Sequence, residues 1–161
     1  MSNDAAHKSG WQVFEVVFGV PFLAAIALQL AAPIPLPNGA VRLARIIAGA
    51  IFMVVGVCLA ALARREFSRY GQPTDPGHPT SQIVTTGVFS ISRNPLYLGG
   101  VLILAGISLA FDLAWALILL IPSVAACHTI LIAPEERYLA ARFGEQYRRY
   151  AATVHRWIGR K

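Results

Sequence analysis

Apolar residues run through this chain in four long blocks. Val13 to Ala32 is broken only by Glu15 near its start and Gln29 near its end, and Val41 to Ala63 carries Arg42 and Arg45 in its first turn. Leu96 to Phe111 and Leu113 to Ala133 follow, parted by Asp112 alone. A run of about 20 apolar residues matches the hydrocarbon thickness of a bilayer, so the pattern predicts four transmembrane helices. The third block would be only about 24 Å long at 1.5 Å per residue. It reads as the short arm of a hairpin with the fourth, partly shielded by protein.

Past the fourth block the pattern changes. Leu139, Phe143, Tyr147, Tyr150, Val154 and Trp157 recur at spacings of 4, 4, 3, 4 and 3, with arginines between them. That places the apolar and aromatic residues on one helical face and predicts an amphipathic helix lying at the membrane interface. Pro134 suits its first turn, where Glu135 and Glu136 would meet the positive end of the helix dipole. The 71–90 segment, rich in proline and glycine, cannot be one helix and reads as a loop. It returns toward the third block through "QIVTTGVF", ending near Gly87.

Composition agrees with the pattern. Of 161 residues, 56% are hydrophobic and 14% charged, and the mean hydropathy is +0.56, beyond the range of soluble domains. The fold class expected is all-α: one polytopic membrane domain over 1–161, with a helical hairpin in 1–63 and a ligand-binding part in 64–161. Cys58 and Cys127 both lie in apolar blocks, with no disulfide framework and no metal-ligand spacing. They read as packing residues, and no metal is expected.

Charge supplies an orientation. If the blocks cross alternately, twelve of the fourteen Lys and Arg residues, from Lys8 through Arg64, Arg65, Arg69 and Arg93 to Lys161, fall on one side. Only Arg42 and Arg45 fall on the other. Positive residues gather on the cytoplasmic side, so both termini and the 64–95 segment are expected there, in an inner or plasma membrane. The "AAPIPLPNG" loop and Asp112 then face the opposite side. The first block is read as a retained helix rather than a cleaved signal. The net charge of +6 fits anionic membrane lipids as partners, not nucleic acid.

The residues able to carry chemistry sit at one end of the third and fourth blocks. A hairpin would bring Arg93 and Asn94 to the depth of Glu135 and Glu136, with Tyr97 one turn along. Carboxylates suit a cation or hydroxyls, arginine suits a carboxylate or phosphate, and aromatic faces suit an adenine or a sulfonium. S-Adenosylmethionine presents all of these groups.

The run "IVTTGVFSISRNPLYLGG", followed by "EERYLAARFGEQYRRYAATVHRWI", resembles the isoprenylcysteine carboxyl methyltransferases and the related phospholipid methyltransferases of membranes. Those families share T-x-G-x-Y/F, then R-H-P-x-Y-x-G, a helical hairpin, and E-E-x-x-L-x-x-x-F-G-x-x-Y-x-x-Y. The resemblance covers roughly residues 80 to 158. It implies an S-adenosylmethionine-dependent methyltransferase acting on a carboxylate, thiol or amine of a small lipophilic acceptor that enters from the bilayer. It places cofactor contacts at Gln82, Ile83, Val84, Phe89, Asn94, Pro95, Leu96, Tyr97 and Glu135, with Arg93, Tyr97 and Glu135 as catalytic residues. Two departures stand out. Asn94 replaces the family's histidine and cannot carry a proton at neutral pH. Leu131 stands where the prenylcysteine enzymes place an arginine toward the substrate carboxylate, leaving His128, one turn deeper, as the polar substitute. Two other readings compete: a reductase using a nicotinamide cofactor, similar in its C-terminal hairpin to membrane sterol reductases, and a non-catalytic membrane scaffold.

Overall fold

A computed structural model describes residues 14–71 and 81–161. Lys8, the Val13 start of the first block and positions 72–80 of the proline-rich loop lie outside the described residues. Among the described residues the chain is helical and has no strand. A π turn, Glu15–Gly19, leads into α1, Val20–Ala31. Then come α2, Ala40–Arg69, a 3-10 turn at Gly87–Ser90, and α3, Pro95–Ala110. The last part holds α4, Ala114–Ala126, a π segment, Cys127–Ile132, α5, Ala133–Phe143, and α6, Glu145–Thr153.

Two continuous helices, Ala40–Arg69 and Ala114–Phe143, are each 30 residues long and apolar enough to cross a membrane. At 1.5 Å per residue each exceeds a hydrocarbon core of about 30 Å. The other two, Glu15–Ala31 and Pro95–Ala110, are shorter. The four transmembrane helices expected from the sequence, the third of them short, thus become two helices of spanning length and two shorter apolar ones packed on them, Glu15–Ala31 being the one whose length was overstated. The reason lies at the ends of α3. Pro95 fixes its first turn, and Asp112 reverses the chain at φ 63°, a left-handed conformation that aspartate tolerates better than most residues. What remains is sixteen residues.

Burial on α2 is inverted relative to a soluble helix. Its buried positions are Gly49, Gly56, Ala63 and Glu66, while Leu43, Ile47, Ile51, Val54 and Val57 are exposed. Large side chains facing outward and small ones facing inward are what a lipid solvent favours. The buried seam meets α3 at two matched levels. A Cβ built on Gly56 would stand 2.6 Å from the Gly99 carbonyl oxygen, and one on Gly99 would stand 2.7 Å from that of Gly56. Gly49 and Gly106 repeat the arrangement seven residues away on each helix. Levels rising on α2 as they fall on α3 make the pair antiparallel. α1 packs chiefly on α4. Phe14 and Phe18 stack at 4.5 Å over the buried Cys127, Leu131 and Ile132. Cys127 is therefore a packing residue, whereas Cys58 lies exposed on α2.

The C-terminal region departs from the single amphipathic helix expected. Pro134 does not open a helix, because α5 continues the π segment without a break. Wider π turns precede this proline, whose missing N–H and ring disturb a regular α-turn. The break falls instead at Gly144, with φ 53° and ψ −121°, which a side chain disfavours. Val154 and Trp157 lie beyond α6, and Trp157 packs on the Phe18 cluster. Gly144→Ala is expected to cost about 1–3 kcal/mol and to lower the Tm in detergent by several degrees, measured by tryptophan fluorescence.

Candidate active site

The site is built from the 81–94 segment, the first turn of α3, the π segment with α5, and the tail after α6. Glu66, near the end of α2 and 8% exposed, anchors the first of these. Its Oε2 accepts from Thr86 Oγ1 at 2.7 Å, and its Oε1 from Arg69 Nη1 at 3.0 Å. Gly87 lies directly on this carboxylate, so close that a Cβ there would be 2.8 Å from the carboxyl carbon. Gln82 Nε2 donates to the Tyr70 carbonyl at 2.9 Å. Val84 and Phe89 are buried with Ala63, and Leu96 packs beside them, the Phe89 ring lying 4.9 Å from that of Phe67.

Around Arg93 an ion-pair knot closes. Arg93, with 9% of its side chain exposed, places Nη1 3.1 Å from Glu136 Oε1 and donates to the Tyr147 hydroxyl at 3.3 Å. Arg156 grips the same carboxylate through two nitrogens, Nε to Oε1 at 2.9 Å and Nη2 to Oε2 at 2.7 Å, and meets His128 Nε2 through Nη1. A two-nitrogen grip of this kind is the strong form of the arginine–carboxylate pair. Bonding to Glu136 raises the Arg156 pKa further above its ordinary value, against the opposing effect of burial. Burial pushes the Tyr147 and Tyr150 phenols up from theirs, so both remain neutral hydroxyls at working pH. Beside the knot, Tyr97 OH donates to Glu135 Oε2 at 3.3 Å, and the Tyr97 ring stacks on Phe14 at 6.3 Å.

The tail latches this arrangement. Arg93 N donates to the His155 carbonyl at 3.2 Å, and Gly159 N to that of Ile91 at 2.7 Å. Tyr150 OH donates to the Phe89 carbonyl at 2.7 Å. Asn94 Nδ2 donates to the Arg156 carbonyl at 3.0 Å, while its backbone N–H donates to Ser92 Oγ at 3.1 Å.

Of the residues singled out from sequence, the structure brings Tyr97 to Glu135 and Arg93 to the adjacent Glu136. Asn94 and Pro95 lie buried at the start of α3. Gln82, Val84, Phe89 and Leu96 pack toward α2, with Ile83 half-buried between Gln82 and Val84. Leu131 is fully buried in the core, and His128 holds Arg156. Sequence reasoning missed the Arg156 grip, the Tyr147 contact and the role of Glu66. No spacing rule could pair Glu136 with Arg156, since the helix breaks at Gly144 and Arg156 lies in the tail beyond α6.

Residues 44–146 match the family described as phospholipid methyltransferase. The chain belongs to the phospholipid methyltransferase family. The match covers well over half of it and holds Glu66, Arg93, Tyr97, Glu135 and Glu136, whereas Tyr147, Tyr150 and Arg156 of the latch lie beyond it. No curated protein and no solved structure matches the chain. Membership, with the two apolar helices of spanning length, makes this a membrane methyltransferase and favours methyl transfer over the reductase and scaffold readings.

Proposed function

We propose that this protein transfers a methyl group from S-adenosylmethionine to a carboxylate, thiol or amine of a lipophilic acceptor, and that phospholipids are among the acceptors to test first. The observation that carries the reading is the side-by-side pair of Glu135 and Glu136. One is bonded to Tyr97 and the other gripped by Arg93 and Arg156, at the end of two apolar helices. The donor set fits the cofactor. Among the described residues Arg93 Nε is buried with no hydrogen-bond partner, which leaves one guanidinium donor to spare beside the Glu136 pair. Glu135 suits hydroxyls or an ammonium group, and the Tyr97 and Phe14 faces suit a sulfonium.

S-Adenosylmethionine supplies an activated methyl group when bound. The chain's own residues then have little acid–base work, because alignment provides most of the acceleration. Tyr97 and Arg93 orient, the Trp157 tail excludes water, and Asn94 serves as a latch through its bond to the Arg156 carbonyl. That role needs no titrating imidazole. In this reading the chain works as one membrane domain, with both termini and the knot on the cytoplasmic side and α1 and α3 completing a four-helix membrane bundle.

The test is binding of S-adenosylmethionine and S-adenosylhomocysteine to detergent-purified protein by calorimetry. Wild type is expected to bind both. Glu135→Ala and Tyr97→Ala are expected to weaken binding about tenfold, the loss of one hydrogen bond to a charged group. Well-folded protein that binds neither, or that binds reduced nicotinamide selectively, would overturn the reading. Transfer of labelled methyl to a membrane lipid extract then gives the acceptor class.

A further inference from the structure

At the far end of the α2–α3 pair from the Arg93 knot, a cleft of about 660 Å³ opens between the start of α2 and the α3–α4 turn. Asn38, Gly39, Arg42, Arg45, Phe111 and Asp112 line it. It holds two guanidinium groups and one carboxylate. Arg45, 8% exposed, gives Nη1 to Asp112 Oδ1 at 2.8 Å, and the same oxygen accepts from Leu36 N at 3.0 Å. Arg45 Nε is buried, with no partner among the described residues. Arg42, on the same face three residues earlier, has no side-chain ion pair or hydrogen bond among the described residues. No side chain caps the N-terminus of α2, so its first-turn N–H groups add positive potential.

One unspent cation, one buried N–H without an acceptor and a helix N-terminus together call for an anion carrying about one charge. The surroundings narrow its chemistry. Phe111 and Leu43 are 69% and 66% exposed, and Ile46, one turn along from Arg42, and Ile47 are exposed beside them. On a helix of spanning length this apolar surface meets the bilayer's acyl chains. A phosphodiester carrying acyl chains joins that environment to the charged cleft, which a free phosphate does not.

We propose that this cleft binds the phosphodiester headgroup of a membrane phospholipid, as a second lipid site at the opposite end of the protein from the methyltransferase centre. Arg42 bonds the phosphate at the mouth of the cleft, the Arg45 guanidinium adds positive potential behind it, and the acyl chains lie along Phe111 and the exposed face of α2.

The experiment uses delipidated full-length protein in detergent, with native mass spectrometry for bound lipid and tryptophan fluorescence for Tm. The probes are dioleoyl phosphatidylglycerol, dioleoylglycerol and inorganic phosphate. Phosphatidylglycerol is expected to give a retained adduct and a raised Tm, and dioleoylglycerol neither. Arg42→Gln, at an exposed position, is expected to keep the lipid-free Tm and lose about tenfold in phosphatidylglycerol affinity, one charge-assisted bond. Asn38→Ala is the second variant if Arg42→Gln lowers the lipid-free Tm. Equal binding of dioleoylglycerol, or unchanged lipid affinity in a folded variant, overturns the site. Inorganic phosphate raising the Tm as much as the lipid overturns the lipid assignment.

Discussion

Gly99→Leu protein is expected to lose its cooperative fold in detergent, the largest effect of any single substitution outside the ion-pair knot. The first carbon added at Gly99 would meet the Gly56 carbonyl oxygen at 2.7 Å and the Ala60 nitrogen at 3.2 Å. Both obstacles are backbone, so no rotamer relieves them, and the helices must move apart. Separation would also open the Gly49–Gly106 level, where a Cβ on Gly49 would be 2.7 Å from the opposing carbonyl. Gly99→Ala alone is expected to cost about 1–3 kcal/mol as overpacking, and leucine more. Gly19→Ala is the control. Nothing lies within 4 Å of a Cβ there, and alanine is the better helix former by up to about 1 kcal/mol. Thermal unfolding of the three variants decides the matter, and wild-type Tm for Gly99→Leu would sink this account of the helix pair.

Removing the Glu136 carboxylate is expected to damage stability and cofactor binding together. It leaves Arg93, 9% exposed, without its ion pair, and frees Arg156 from its two-nitrogen grip. Breaking a buried pair from one side costs about 3–5 kcal/mol. The partial exposure of Arg156, 35%, sets the expectation near the lower figure, or a Tm drop of roughly 6–12 °C. Glu145→Ala is the comparison. Glu145 also meets two arginines, Arg148 and Arg149, but all three side chains are at least 60% exposed, and a change within about 0.5 kcal/mol is expected. Arg156→Ala combined with Glu136→Ala should cost less than the sum of the two, because each single change breaks the same contact. Additive losses would mean that the knot is not one unit.

Much of the site was legible in particular residues. Arg93, Tyr97, Glu135 and Glu136 could be placed at one membrane depth because a hairpin about Asp112 brings the ends of its arms together. The motif pattern around them named the family that the match over 44–146 bears out. The fold was legible less evenly. Hydropathy marked every apolar helix and showed the third to be short, but overstated the first as a full span, since it measures solvent preference and not where a helix stops. The face running from Leu139 to Trp157 suggested one helix, because periodicity does not register a single glycine in an unusual backbone conformation. Gly144 ends that helix and turns the tail back over the site.

By itself, the amino-acid sequence determined that the chain is helical, that it prefers lipid, and which end of it collects charge and motif residues. These follow from composition and short-range spacing, which act locally. Only the tertiary structure decided which glycines touch, that Glu136 rather than Glu135 takes the two arginines, that Asn94 holds the tail, and that Arg45 pairs with Asp112 beside a second cleft. Those outcomes depend on distances between residues far apart in the chain. Such distances are set by backbone approach at Gly56 and Gly99 and by the fold-back at Gly144, and no local pattern encodes them.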